Sequence, residues 1–408
     1  MTHEPDFTVE PVAGGITAPD GFRVAGVACG IKKADALDLA LIVADNLSTA
    51  AGMFTTNKAV AAPVVVCREH LGKSGGRVAA IVVNSGCANA CTGPEGFAVA
   101  RSTADFVAST LGCGPEHVMV ASTGVIGVQL DAGKIRRGVG SAARSLSRTN
   151  HLEAARAIMT TDTAPKEASV RVTTRSGVFH VGGMAKGAGM IEPNMATMLG
   201  FITTDAMVHP PTLRRALAEV VADTFNAISI DGDASTNDSV ILMAGGASGV
   251  PVEDTLYSAF VYGLREVCRS LARAIVKGGE GVTKLIQITV SGAASTDDAR
   301  RAAKVIANSL LVKTALHGGD PNWGRLVAAA GRAGVPFVLE RASVRIGHVV
   351  LFSKGVPFDD RAPEAASYLE GTELEIEVGL GSGGIDSAIV WTSDLSAEYV
   401  RINGEYRT

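Results

Sequence analysis

Gly182-Gly183-Met184-Ala185-Lys186-Gly187-Ala188-Gly189-Met190-Ile191-Glu192-Pro193-Asn194-Met195-Ala196-Thr197-Met198-Leu199 divides the chain almost in half. Four glycines in eight residues, followed by Pro193-Asn194, permit tight backbone geometry. From Met198 to Thr203 the sequence turns apolar and strand-like. A small residue, then a hydroxyl residue at the head of a strand, is what backbone self-cleavage requires. The Thr197 hydroxyl attacks the Ala196 carbonyl only if that peptide is held strained and accessible. Spacing alone favours the plainer reading, a glycine-rich loop that feeds a strand.

Outward from this stretch the two halves differ. Upstream, Leu39 to Ala44, Pro63 to Cys67, Val78 to Val83 and Val118 to Ala121 are short, β-branched and almost continuously apolar. Such runs predict strands buried on both faces. Helical periodicity is expected over Ala132 to Leu146 and His151 to Met159, and more strongly over Pro211 to Ala227, Glu253 to Val276 and Asp297 to Leu316. Between the later helices, Lys284 to Val290 and Val344 to Phe352 read as strands. A regular βαβ repeat is absent. The pattern predicts an α/β (α+β) architecture of layered sheets covered by helices.

Composition narrows the function. The 408 residues are 47% hydrophobic but only 5% aromatic, so burial rests on Ala, Val, Ile and Leu in one large unit or two domains. A net charge of −4 supplies no basic field for nucleic acid or an anionic membrane, and points to a small-molecule partner. The acidic, proline-containing start lacks the form of a secretory signal. Apolar stretches fall far short of the ~20 residues of a spanning helix. Six scattered cysteines without an export signal suggest reduced thiols and a cytoplasmic location. Cys87 and Cys91 lack two further close ligands, so no metal site is expected.

Two other patterns invite misreading. Gly379-Leu380-Gly381-Ser382-Gly383-Gly384 has dinucleotide-loop spacing, but Ile385 to Thr392 after it reads as a strand, leaving no helix N-terminus for a pyrophosphate. A hairpin-type turn is expected there. Asp231, Asp233 and Asp238 lack the calcium-loop pattern, and suggest a hydrogen-bonded loop near the active site.

The central stretch resembles the processing motif of the ornithine acetyltransferase family, the glutamate N-acetyltransferases of arginine biosynthesis. The resemblance extends from Gly21-Phe22-Arg23-Val24-Ala25-Gly26-Val27 through Asn84-Ser85-Gly86, Ala88-Asn89-Ala90-Cys91-Thr92-Gly93 and Ser122-Thr123-Gly124-Val125-Ile126-Gly127 to Met159-Thr160-Thr161-Asp162-Thr163. It continues through Asp231-Gly232-Asp233-Ala234-Ser235-Thr236-Asn237-Asp238, Gly278-Gly279-Glu280-Gly281 and Asp320-Pro321-Asn322-Trp323-Gly324-Arg325 to Asn403-Gly404-Glu405-Tyr406-Arg407-Thr408. Cys87 departs from the commoner pattern, without touching an implied site.

The resemblance implies cleavage between Ala196 and Thr197 into an α chain, 1–196, and a β chain, 197–408, assembled as a heterotetramer of two of each. Thr197 would be the N-terminal nucleophile of an N-terminal-nucleophile acyltransferase. Its new α-amino group, with an ordinary pKa of ~7.7–8.0, would activate its own hydroxyl. Acetyl would pass from N-acetylornithine to Thr197 and then to glutamate. Thr123 and Gly124 are implied as the oxyanion hole, and Thr160, Lys186, Thr197, Glu280, Asn403 and Thr408 as the substrate-binding set. Lys186 suits a carboxylate and Glu280 an ammonium group. No cofactor or metal is implied; acetyl-CoA enters as a second candidate donor, which would make the enzyme bifunctional.

Overall fold

The strand-forming runs resolve into sixteen strands in the computed structural model, which describes residues 6–33, 35–192 and 198–405. In chain order they are β1 (Phe7–Pro11), β2 (Phe22–Val27), β3 (Leu39–Phe54), β4 (Arg77–Cys87), β5 (Val118–Val125), β6 (Lys166–Thr174), β7 (Gly177–Lys186) and β8 (Leu199–Thr204). They continue with β9 (Ile228–Ser229), β10 (Ser239–Ala244), β11 (Leu285–Ala293), β12 (Ser343–Ile346), β13 (Val349–Ser353), β14 (Val356–Pro357), β15 (Glu373–Gly379) and β16 (Asp386–Ser393).

Nine of them form one sheet in the order β1-β6-β7-β8-β10-β3-β4-β5, with β2 beside β3. The long strand β3 is the seam. Along one edge its first half pairs with β2 and its second half with β10, and against β4 its register slips between Val43 and Ser48. Alternate residues of the two halves then face each other. Val24, Ile42, Ile81 and Met119 share an inner core with Met184, Phe201, Ile241 and Met243. The opposite faces carry helices. Leu41, Val82 and Val120 pack beneath helices Ala62–Lys73, Gly93–Leu111 and Ala132–Arg144. Val172, Phe179, Val181 and Leu242 pack beneath Pro210–Ala222 and Asp254–Lys277. The result is four layers: helices, sheet, sheet, helices.

The remaining seven strands form a second sheet, β14-β13-β12-β15-β11-β16-β9. A separate apolar core joins it to helices Thr296–Ala307, Leu310–His317, Trp323–Gly331 and Ala362–Leu369. All of this sheet lies after residue 227.

The expected layered α/β architecture is thus observed, and three local expectations are corrected. Pro63 to Cys67 is not a strand but the first turns of helix Ala62–Lys73. Its three valines mimic a strand, yet Pro63 in the first turn is pre-set for a helix, and Val64 and Val66 reach two different cores. Asp297 to Leu316 is not continuous. It breaks at Asn308-Ser309, and the Asn308 amide leaves the helix to donate to Glu192 at 2.7 Å. The Gly379–Gly384 loop is not a hairpin, because β11 lies between β15 and β16, so the loop crosses the end of β11. A side chain at Gly384 would come within 1.8 Å of the Ala293 carbonyl oxygen, so glycine serves close backbone approach.

Candidate active site

The parallel pair β4 and β5 opens one wall of the site. At its C-terminal end Thr123 pairs with Ser85 and Gly124 with Gly86. Gly124 has φ +128°, and a Cβ there would lie 2.4 Å from the Gly86 carbonyl carbon. Only glycine brings the two strand ends so close.

The second wall is β7, whose last residue Lys186 stands opposite Leu199, the first of β8. The Lys186 ammonium group donates to Thr123 Oγ1 at 3.0 Å and Thr160 Oγ1 at 2.8 Å. Burial lowers its pKa, and the nearby Asp162 opposes that shift. Asp162 is the hub of the charge network. It accepts from Lys166 Nζ at 2.5 Å, from the Gly187 N–H at 2.7 Å and, through its other oxygen, from the Thr160 N–H at 3.0 Å. Burial alone would raise the pKa of this carboxyl, but the Lys186 and Lys166 ammonium groups outweigh it and hold it at about 2. The buried charges compensate one another, which allows a lysine to reside in a closed site.

The third wall comes from the far half of the chain. Glu280, just after helix Asp254–Lys277, accepts from Asn403 Nδ2 at 2.9 Å. Asn403 belongs to the terminal helix Ala397–Glu405. Tyr399 of the same helix donates to Asp231 Oδ2 at 3.1 Å. Its seat is tight: a Cβ on Gly281 would lie 2.4 Å from the Tyr399 nitrogen.

Both flanks of the central stretch are anchored. Asp231 accepts from the Met190 and Ile191 N–H groups, each at 2.7 Å. The Glu192 N–H donates to the Asp233 carbonyl at 2.9 Å. On the other side the Ser239 N–H donates to the Met198 carbonyl at 3.1 Å. Met190 itself has φ +57°, a left-handed conformation that is costly for a side-chain-bearing residue. The acidic loop expected to be hydrogen-bonded near the site is therefore the clamp on this stretch. Among the described residues no cluster of three or more His, Cys, Asp or Glu is placed to hold a metal ion.

Thr123, Gly124, Thr160, Lys186, Glu280 and Asn403 all line one cavity of about 240 Å³, together with Met198 and Leu199. Ala196, Thr197 and Thr408 lie outside the described residues. The same cavity contains Asp238, expected near the site as part of the acidic loop, and two residues not singled out from sequence, Asn237 and Tyr399. Asp238 is buried, and burial raises its pKa well above the usual carboxylate range against the pull of Lys186. Its Oδ2 has no hydrogen-bond partner among the described residues. Asn237 sits inside a quoted motif, but nothing in its spacing marks it as facing the cavity.

The ArgJ family profile matches residues 23–408. The "Arginine biosynthesis bifunctional protein ArgJ" of Dehalococcoides mccartyi (strain CBDB1) is 48% identical over 400 residues, covering 97% of this chain and 98% of its own. The protein of the same name from Thermosynechococcus vestitus is 44% identical over 419 residues, covering 98% and 99%. A crystal structure of arginine biosynthesis bifunctional protein argJ from Bacillus halodurans is 39% identical with a TM-score of 0.50, covering 52% of this chain and 100% of that one. With the profile reaching the final residue and such relatives matched almost end to end, the chain belongs to the ArgJ family.

Proposed function

We propose that the chain cleaves itself between Ala196 and Thr197, and that Thr197 then carries an acetyl group from N-acetylornithine to glutamate. Family membership makes it an acetyl-transferring enzyme of arginine biosynthesis. The observation that carries the finer reading is the convergence of Thr123, Gly124, Thr160, Lys186, Glu280 and Asn403 on one cavity bordered by Met198, the residue after Thr197. The share of this chain matched by the whole Bacillus halodurans chain, 52%, also equals the share held by residues 197–408, which are 212 of 408.

In the first half-reaction the Thr197 oxygen bonds to the acetyl carbon, the carbon–nitrogen bond of N-acetylornithine breaks, and the hydroxyl proton leaves on the ornithine amine. In the second, the glutamate amine attacks the acetyl-threonine ester, the ester bond breaks, and a proton returns to Thr197. Two easier steps replace a direct attack of one amine on another's amide. Each tetrahedral oxyanion is met by Thr123 and the Gly124 N–H. Lys186 holds Thr123 and offers its charge to a substrate carboxylate, while Glu280 and Asn403 receive the amine end. Thr408 belongs to the same binding set. No cofactor is needed. Assembly as two α and two β chains, and a cytoplasmic location, accompany this reading. Among the described residues no helix is long and apolar enough to cross a membrane.

A transfer assay on purified protein, offering N-acetylornithine and acetyl-CoA in parallel as donors to glutamate, tests the proposal. N-Acetylglutamate is expected from N-acetylornithine, and activity with acetyl-CoA would make the enzyme bifunctional. Release of free acetate without N-acetylglutamate would instead identify a hydrolase in which water resolves the acyl-enzyme. Gly124→Ala keeps the backbone N–H but sets a Cβ 2.4 Å from the Gly86 carbonyl carbon, and by displacing that donor is expected to lower the transfer rate by about 100-fold or more, as loss of one oxyanion donor does. A rate within about threefold of the parent in that variant would remove Gly124 from the oxyanion site.

A further inference from the structure

Asn237 is almost fully buried in the cavity wall, and its amide is completely committed. Its Oδ1 accepts from Thr236 Oγ1 at 2.6 Å, and its Nδ2 donates to the Ala88 carbonyl at 2.6 Å and the Ser122 carbonyl at 2.9 Å. One hydroxyl donor and two carbonyl acceptors fix which end of the amide is nitrogen. All three contacts bear on the proposed oxyanion site. β5 is the last strand of its sheet, so one of its edges is free of a neighbouring strand. Along a strand, carbonyl and N–H groups of alternate residues project from the same edge. The Ser122 carbonyl and the Gly124 N–H therefore share an edge, and Asn237 grips the first of them. On the other side of the same turn Ser122 Oγ donates to Asn84 Oδ1 at 2.6 Å, and Asn84 Nδ2 donates to the Cys87 carbonyl at 2.9 Å. Ser122 is thus held by backbone and side chain at once.

We propose that Asn237 is a positioning residue, which aims the Thr123–Gly124 oxyanion donors by holding the Ser122 and Ala88 carbonyls through one amide. This rests on the acetyl-enzyme reading above, and adds to it a residue that touches no substrate. Asn237 comes from the half of the chain after Thr197, whereas both carbonyls come from the half before it. One fragment of the cut chain aims the oxyanion donors of the other.

The test is steady-state kinetics on processed Asn237→Ala, Asn237→Asp and Thr236→Val. In Asn237→Ala kcat is expected to fall about 10- to 100-fold, at or below the effect of losing a whole oxyanion donor, while KM stays within about twofold. Asn237→Asp should fall further, because it offers no N–H and turns an oxygen toward two carbonyls. Thr236→Val removes only the hydroxyl that orients the amide, at nearly constant volume. It is expected to fold and be cut normally, and to lose kcat by about 3- to 10-fold at unchanged KM. It serves even if the Asn237 variants do not fold. A kcat within twofold of wild type in Thr236→Val and in any folded Asn237 variant would overturn the proposal, as would a rise in KM at constant kcat. Intact mass of wild-type protein mixed with N-acetylornithine separates the two readings. If the acetyl adduct forms on residues 197–408 while the variants turn over normally, only the role of Asn237 fails. Absence of any adduct in wild type overturns the acetyl-enzyme reading itself.

Discussion

Thr197→Ala is expected to remain a single species of 41.8 kDa and to show no acetyl transfer. Under the proposed scheme the same hydroxyl attacks the Ala196 carbonyl in maturation and the acetyl carbon in turnover, so one oxygen atom would govern both outcomes. Before the cut, residue 197 has an amide nitrogen, which is no base. Afterwards it has an amine with an ordinary pKa of ~7.7–8.0, able to take the hydroxyl proton near neutrality. Thr197→Ser keeps the hydroxyl and should still cleave, at an altered rate. Intact mass spectrometry checks both variants. Two fragments from the alanine variant would place the nucleophile elsewhere. A serine variant that stays whole would assign the threonine methyl group a packing role.

The largest expected effect on stability comes from Asp162→Ala. The carboxylate lies between two buried ammonium groups, with the Asp162 side chain fully shielded and the Lys166 side chain 4% exposed. Removing one partner of such a pair leaves uncompensated charge, at a typical cost of about 3–5 kcal/mol. Chemical denaturation at neutral pH checks this, and a loss below about 1 kcal/mol would show that the lysines find other partners. The pH dependence has a definite sign. Asp162 has a folded pKa of about 2 against an ordinary 3.8. Its contribution is therefore complete above 3.8 and is lost as pH falls from there through 2, roughly 2 kcal/mol in all. Asp162→Asn should lack that component of the acid transition. Transfer activity should also fall in both variants, because Lys186 loses the charge that keeps it protonated and directed at Thr123 and Thr160.

Residue patterns showed much of the fold and the outline of the site, and the failures have physical causes. Leu39 to Ala44 and Val118 to Ala121 were legible because strands buried on both faces are apolar throughout. Val64-Val65-Val66 carries the same composition, and only Pro63 hints at a helix start. The break after Ala307 was illegible because it answers a distant requirement, the hydrogen bond from Asn308 to Glu192. At the site, Thr123, Gly124, Thr160, Lys186, Glu280 and Asn403 were accessible through motif resemblance, since such motifs mark reactive groups. Asp162 and Asn237 stood in the same motifs without a role. What they do depends on pairings between segments far apart in sequence: β7 brings Lys186 to Asp162, and the turn after Ser235 brings Asn237 to Ser122. Tyr399 becomes meaningful only where its helix docks against Gly281.

The place of the proposed cut within the larger sheet has a consequence for how the enzyme responds to dilution. Strands β8 and β10 follow Thr197 in the chain, yet they lie between β7 and β3, which precede it. Breaking one peptide bond leaves both interstrand ladders intact, and the apolar core on each face as well. The two pieces then form a complex whose dissociation would require unfolding. Separation is therefore very slow: specific activity should be the same at nanomolar and micromolar enzyme, and neither fragment should exchange with free copies of itself.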